Sequence, residues 1–494
     1  MSRTFTVRVL VCGALLVAFA GTANAANRFF IGARNLGMGN TGVATTTNGL
    51  AVYYNPAGMA FDHGWDLQLP LMTVDATIGG DLFEGVDQLQ DIFDSSSLGE
   101  IQDRFNNGTA SSLDLQAALE AFLYELPELG QSQQGGNIRA ASGPAFRWKN
   151  WGVSAGFIAN GGADSILDLE NGLNLGSSGF AGAIPNPLPN ACAGDTTCLG
   201  LASDLITASG GALDQDRAET LVVAAGSALS SNQQAQDILT RIVEETAAGG
   251  GLLGNNQSGL LFSVIGVVQF SGTYSHMVIE DKLSMGGSLR VMKGRLERQN
   301  SSVANLEAGD EAFESIFDSI TDREGNTSTE FAVDIGVMYR PTPKWSLGLS
   351  GMSLNGPSFT LPGNAPDFDI DPAVRVGGAY RPLQWFNVAM DFDVTEVDSG
   401  VIPGFSYRYV NLGVELLAGR WFSGWLGGYE NVAQENADPV LTLGVGFRAG
   451  RFEIALSGAR STKEGRLSTG EDDKTFPNGA AASITLSWQP KRLQ

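Results

Sequence analysis

Period-two alternation, with no long apolar run beside it, is the feature that most limits what this chain can fold into. Phe386, Val388, Met390, Phe392 and Val394 alternate with Asn387, Ala389, Asp391, Asp393 and Thr395. The same beat runs through Phe331 to Arg340 and through Leu441 to Arg448. One face is apolar and the other is small or polar, the pattern of a strand between two different surroundings. The longest apolar run beyond the first 25 residues, Leu260 to Phe270, is broken by Ser263 and Gln269. It falls short of the roughly 18–20 residues of a membrane helix. Two folds remain. In a soluble sandwich the apolar face is core; in a membrane β-barrel it meets lipid while the small and polar face lines the lumen.

The spacing of the segments favours the barrel. Strand-like stretches fall at 65–78, 138–149, 151–160, 260–278, 281–293, 328–340 and 344–353. They continue at 373–381, 384–396, 407–418, 420–430, 440–449, 451–460 and 480–488, an even total of fourteen. Very short links such as Lys149-Asn150, Pro341-Thr342-Pro343 and Pro382-Leu383 alternate with long ones, including 79–137, 161–259 and 294–327. Short periplasmic turns against long external loops are the asymmetry of outer-membrane barrels. Trp148, Trp151, Trp345, Trp385 and Trp421 lie beside the short turns, Trp65 opens the first strand and Trp488 closes the last. Indoles gathered at one end form an interfacial girdle. Trp425 sits further into a strand.

Residues 1–25 read as a secretory signal. Arg3 and Arg8 precede the apolar stretch Val9 to Ala20, and Ala23-Asn24-Ala25 fits the small-x-small cleavage rule. Cys12 leaves with it. The remaining cysteines, Cys192 and Cys198, stand with five residues between them in a loop-like stretch, and an oxidising compartment favours a small disulfide loop over two free thiols.

Charge bears on partners. The whole chain carries 30 basic and 53 acidic residues, net −23, which excludes a nucleic-acid binder driven by phosphate attraction. The mature chain, near −25, concentrates its excess in the three long loops, whose balance is −24. Barrel and N-terminal region are therefore almost neutral. Such loops repel anions and suit divalent bridging to lipopolysaccharide. Asp367, Asp369 and Asp371 form a further candidate cation site beside the reading as solvated surface charge. Parity places Asp334, Arg375, Asp391, Asp393, Glu415, Arg448 and Glu453 in the lumen, an ion-paired and partly blocked interior. No cofactor or resident metal is expected. Catalysis has little material: His276 is the one histidine in the predicted strands, and no GxSxG motif accompanies it.

The long loops hold helical faces. Leu113, Leu119, Phe122, Leu123 and Leu126 share one near 111–126, Phe313, Ile316, Phe317 and Ile320 share another near 307–320, and Leu221 to Val243 is an alanine-rich helical region. Such faces bury against something. They pack over the barrel mouth, or Leu119, Phe122, Leu123, Phe313, Ile316 and Phe317 form an apolar surface that captures a hydrophobic ligand.

Gly37-Met38-Gly39-Asn40-Thr41-Gly42 matches GxGxxG without the preceding strand a dinucleotide fold requires, so it reads as a tight glycine-rich fold of the N-terminal segment. That stretch with Val43-Ala44, followed by Tyr53-Tyr54-Asn55-Pro56-Ala57-Gly58-Met59-Ala60, resembles the N-terminus of the FadL-type outer-membrane transporters. It is most similar to their TraF-like branch, named for conjugal transfer, and Phe386 to Thr395 and the Gly-rich final strands resemble that branch too. The resemblance implies an all-β transmembrane fold: an antiparallel outer-membrane barrel of about 14 strands, an N-terminal plug over 26–64 and partly helical outer loops. The barrel would then occupy 65–488, with a periplasmic tail at 489–494. It also implies that Gly37, Gly39, Gly42, Asn55, Pro56 and Ala57 act in plugging and gating. The implied activity is passive uptake of hydrophobic small molecules, fatty-acid-like or aromatic, captured among the outer loops and released when the plug shifts. Partners implied are outer-membrane lipid and lipopolysaccharide of a Gram-negative cell, the hydrophobic ligand, and the barrel assembly machinery during insertion. The chain departs from the pattern in ending six residues past Trp488, and in loops whose sign opposes fatty-acid anions. Two other functions stay open: a non-transporting component of a conjugation, secretion or envelope assembly, and a general polar porin.

Overall fold

The computed structural model describes residues 30–78, 109–125, 135–166, 187–248, 259–302, 327–360, 367–402, 405–434, 437–468 and 473–489, with residues 101, 104, 107 and 184. Residues 1–29 and 490–494 lie outside this set, and with them the signal and most of the tail.

The alternating segments pair in sequence order into a closed antiparallel barrel of 14 strands. They are β1 (Trp65–Ile78), β2 (Gly135–Ser142, resumed as Ala145–Trp148), β3 (Trp151–Ile166), β4 (Gly259–Ile279), β5 (Leu283–Ser302), β6 (Ser328–Thr342) and β7 (Trp345–Met352). Then follow β8 (Ala373–Leu383), β9 (Phe386–Asp393), β10 (Tyr409–Ala418), β11 (Phe422–Asn431), β12 (Val440–Ala449), β13 (Phe452–Ser461) and β14 (Gly479–Trp488). Pairing of β1 with β14, from Leu67↔Trp488 to Thr77↔Gly479, closes the ring and leaves no open edge.

Parity holds along the strands. On β9, Asn387, Ala389, Asp391 and Asp393 are buried while Met390 is exposed between them. Leu441, Leu443, Val445 and Phe447 are exposed on β12, and Thr442 between them is buried. A ring of exposed leucine, phenylalanine and isoleucine is unfavourable in water and favourable in lipid, so the barrel is a membrane-spanning one. Trp148, Trp151, Trp345, Trp385, Trp421 and Trp488 are exposed at the end where the short turns lie. Trp65 meets Trp488 there at 5.3 Å between ring centroids. Trp425 differs: it points into the lumen and is buried.

Strand ends differ from the sequence reading in a regular way. β3 runs to Ile166, β5 to Ser302, and β2 begins at Gly135. The outer loops are therefore 79–134, 167–258 and 303–327, where 79–137, 161–259 and 294–327 were expected. Past the lipid, a strand keeps its ladder but no longer needs an apolar outer face. Arg295, Glu297 and Arg298 therefore look like loop and pair as strand with Gly266, Val264 and Ser263.

Among the described residues, four helices make a separate body in the outer loops: α3 (Ser112–Glu120), α4 (Thr196–Ala208), α5 (Gln215–Ala224) and α6 (Gln233–Ala248). Ser111 caps α3 with Asp114 in a reciprocal box, and Asp195 caps α4. Cys192 and Cys198 form a disulfide at the start of α4.

Candidate functional site

The chain's own N-terminal segment packs against inward-facing residues of the wall. Residues 30–60 are almost all buried, with a short helix α1 (Ala33–Gly37), a second α2 (Ala51–Tyr54), and a 3-10 turn over Pro56–Phe61. Asn55 shapes the turn. Its Oδ1 accepts from the Ala57 N–H at 3.1 Å, and Pro56 fits the first position, where no N–H is needed. The Asn55 amide also donates to the carbonyls of Val43 at 2.8 Å and of Val337 on β6 at 3.1 Å. Ser284 on β5 donates to the Ala57 carbonyl at 2.7 Å. This close seat needs bare backbone on the wall. A Cβ on Gly336 would lie 2.0 Å from Asn55 Oδ1, and one on its cross-strand partner Gly286 2.6 Å from Pro56.

The glycine-rich stretch is held the same way. Gly39 has φ +64, and a side chain there would strike the carbonyls of Leu412 and Gly428 at 2.4 Å. Its N–H donates to Thr442 Oγ1 at 3.1 Å, while the Thr442 hydroxyl donates to the Gly37 carbonyl at 3.0 Å. Asp391 on β9 accepts the N–H groups of Gly42 and Val43 with one oxygen, at 2.7 and 2.9 Å. A carboxylate receiving two backbone donors in a buried place is a strong anchor.

The expected lumen charges are paired. Arg375 and Asp393 form a two-point bridge, and Arg375 also reaches the Asn40 carbonyl at 3.4 Å. Asp334 is bridged by Arg290, and Arg448 by Glu453. Glu415 takes Arg34 of α1 at 2.7 and 2.9 Å and the Trp425 indole N–H at 3.2 Å. The partners Arg34, Asp66, Asp75, Arg139, Arg147 and Arg290 were not singled out from the sequence. Inward parity could have found the strand residues among them. Nothing in the sequence indicates that Phe30 stacks with Arg139, whose guanidinium lies 4.8 Å from its ring and 4.7 Å from that of Tyr407.

The wall has one local interruption close to this segment. Between β1 and β2 the register moves from Gln68↔Ala145 to Thr73↔Ala141, and β1 shifts against β14 between Pro70 and Met72. Pro70 and Pro144 lack the N–H that a ladder uses. Gly143 takes φ +151, with the Ala155 carbonyl 2.2 Å from where a Cβ would stand. The sequence reading ran 138–149 as one strand; the Gly143-Pro144 step divides it. On the lumen side, Ile31, Leu50, Ala51, Val52 and Met59 pack with Ala141 and Ala145 against this place.

Nearer the outer loops the lumen becomes apolar. Ile265, Val267, Met292 and Leu296 face inward and meet Phe359, Phe368, Val401 and Ile402 from loops that fold in. Phe359 and Phe368 stack at 4.5 Å. The alternation predicts small or polar residues at these inward positions, and the fold puts large apolar ones there. Leu119, Phe122 and Leu123 are instead fully buried in the core of the helical body, with Leu221 and Leu239, and offer no capture surface. An amphipathic helix reports that a face is covered but not by what. Phe313, Ile316 and Phe317 lie outside the described residues.

Among the described residues no group of three acidic, cysteine or histidine side chains could hold a metal, which removes Asp367, Asp369 and Asp371 as a cation site. Asp371 is buried away from the exposed Asp367 and accepts the Asp398 N–H at 3.3 Å. Burial, aided by the charges of Asp398 and Asp369, pushes its carboxyl up to about 7. A raised acid favours the folded loop below its unfolded value of 3.8 and loses that advantage as pH climbs to 7. Amides around 397–402 should therefore exchange faster at pH 8 than at pH 5, after correction for intrinsic rates. Asp371→Asn should abolish the difference; a difference that persists in that variant refutes the assignment.

A family profile described as "F plasmid transfer operon, TraF, protein" matches residues 52–393. Among solved structures, a TodX deltaS2S3 mutant, a monoaromatic hydrocarbon channel, is similar at 11% identity and TM-score 0.46, over 93% of this chain and 98% of that one. The toluene transporter TodX of P. putida is similar at 10% identity and TM-score 0.42, over 94% and 99%. A FadL homologue of Pseudomonas aeruginosa is similar at 10% and 0.43, over 94% and 99%. No curated protein matches by sequence.

Proposed function

The chain belongs to the TraF family of the F plasmid transfer operon description, and from that premise we propose an outer-membrane channel for passive uptake of hydrophobic small molecules. One observation carries the reading. The lumen wall carries a packed apolar cluster towards the outer loops, and the N-terminal segment lays an apolar face over the interruption between β1 and β2. A hydrophobic solute passing that cluster would meet polar anchors on the straight path and a weak ladder at the side. A lateral step into lipid keeps it dry throughout, whereas an axial path would place it in water. In this reading the segment is the gate, hinged on the anchors at Asn55 and Asp391, and the side opening is the exit. The outer surface and turn-end tryptophans support a place in the outer membrane of a Gram-negative cell.

Gram-negative cells making the protein should take up a labelled aromatic hydrocarbon several-fold faster than cells without it, and a labelled sugar no faster. Equal hydrocarbon uptake would reject transport. The filled lumen argues against a general porin. The family description favours a second reading, a component of a transfer apparatus. The helical body with its own core and disulfide would be its docking part, and stable co-purifying partners without any gain in uptake would support it.

A further inference from the structure

At the turn end of the lumen, four neighbouring strands bring together a set of cations that, among the described residues, no carboxylate pairs with. Arg340 is the last inward position of β6, Ser346 the first of β7, and Ala379 pairs with Ser346 on β8. Arg381 follows Ala379 on the same face, and Asn387 is the first inward position of β9. Lys344 stands in the turn between β6 and β7. With Thr45 from the N-terminal segment, these residues line a cavity of about 70 Å³. That is room for several waters, or for one small oxyanion.

The charges there are unbalanced. Among the described residues, Arg340, Lys344 and Arg381 each lack an ion pair. The carboxylates that act on them through space are already taken: Glu415 by Arg34, and Asp62 by Arg147 at 3.0 Å. The Arg340 guanidinium rests on the Phe61 ring at 4.0 Å, which fixes its place without neutralising it. Two hydroxyls complete the set. Ser346 is buried, and among the described residues its Oγ and that of Thr45 have no hydrogen-bond partner. Buried hydroxyls left unmatched beside free cations are the inventory of an anion site.

We propose that this cavity binds a small oxyanion, a phosphate or carboxylate group, which bridges the N-terminal segment through Thr45 to the wall through Arg340, Ser346 and Arg381. The group comes either from free phosphate or from the head of an amphiphile. Occupancy ties the segment to β6, β7 and β8, so bound oxyanion favours the filled lumen. The site does not depend on what the channel carries, and binding is measured apart from uptake.

The test uses the full mature chain in a neutral detergent, titrated calorimetrically with inorganic phosphate and separately with octanoate, against chloride at equal ionic strength. Saturable binding of either is expected. Phosphate alone assigns the free anion, octanoate alone the amphiphile head, and both assign the shared chemistry. Arg340→Gln and Arg381→Gln should each weaken binding at least tenfold, and Ser346→Ala should weaken it severalfold. Arg381 is exposed, so its variant keeps the test valid if loss of the Arg340 stack on Phe61 disturbs folding. No saturable binding of either probe, or binding unchanged in Arg381→Gln, overturns the proposal.

Discussion

Replacing Asp391 and Asn55 together by alanine should turn a barrel that passes almost no steady current into one that conducts. Asp391 accepts two backbone N–H groups of the N-terminal segment, and Asn55 links that segment to Val337 on the wall. Hydrogen bonds to a buried charge contribute about 1.5–3 kcal/mol each, so losing the two at Asp391 alone removes about 3–6 kcal/mol from the filled state. That shifts the balance between filled and open lumen by roughly two to four powers of ten. Single-channel recording in planar bilayers reads the change directly. The barrel itself should persist, because its ladder closes through β1 and β14 and does not depend on the segment. Heat-dependent migration on gels checks this. A folded double variant with the current of the parent would mean that the segment is held mainly by its other contacts and that these two anchors do not set the gate.

Locking the side of the barrel should have an equally large effect on uptake and little on current. Thr73 and Ala141 face each other across β1 and β2 just beyond the interruption. Paired Cα atoms in an antiparallel ladder stand about 4.5–5.5 Å apart, within the range a disulfide spans. Cells carrying Thr73→Cys with Ala141→Cys should take up a labelled hydrocarbon at least tenfold more slowly when oxidised than after reduction. The reduced form is the control for the lost Thr73 hydroxyl, which bonds Ser483 at 2.7 Å. Undiminished uptake by the oxidised variant would direct the exit elsewhere, and a matching fall in ion current would point to an axial path.

Much of the barrel was legible because lipid imposes a local rule. Every second residue of β6, β9 and β12 has to be apolar wherever the strand crosses hydrocarbon, and a chain without a membrane helix can satisfy that only as a barrel. The tryptophans mark one end for the same reason. The Asn55-Pro56-Ala57 turn was legible as a motif, since its capping is made by neighbours in sequence. The capture surface was not. Leu119 and Phe122 obey helical spacing whether they meet a ligand or another helix, and in the fold they meet α4 to α6. The apolar cluster was not legible because Ile265, Val267 and Leu296 occupy lumen parity, where the alternation predicts small and polar residues.

The sequence by itself determined the strand count, the face that meets lipid and the end that carries the turns. Each follows from residues within one strand or one loop. Tertiary structure alone decided which wall residues hold the N-terminal segment and where the ladder between β1 and β2 breaks. Asp391, Glu415 and Arg375 each also bond a residue of 34–43, more than 300 positions away, and the two free prolines at 70 and 144 matter because β1 and β2 are adjacent. Closure of the ring brings such residues together, and a pattern read along one strand carries no record of what the ring encloses.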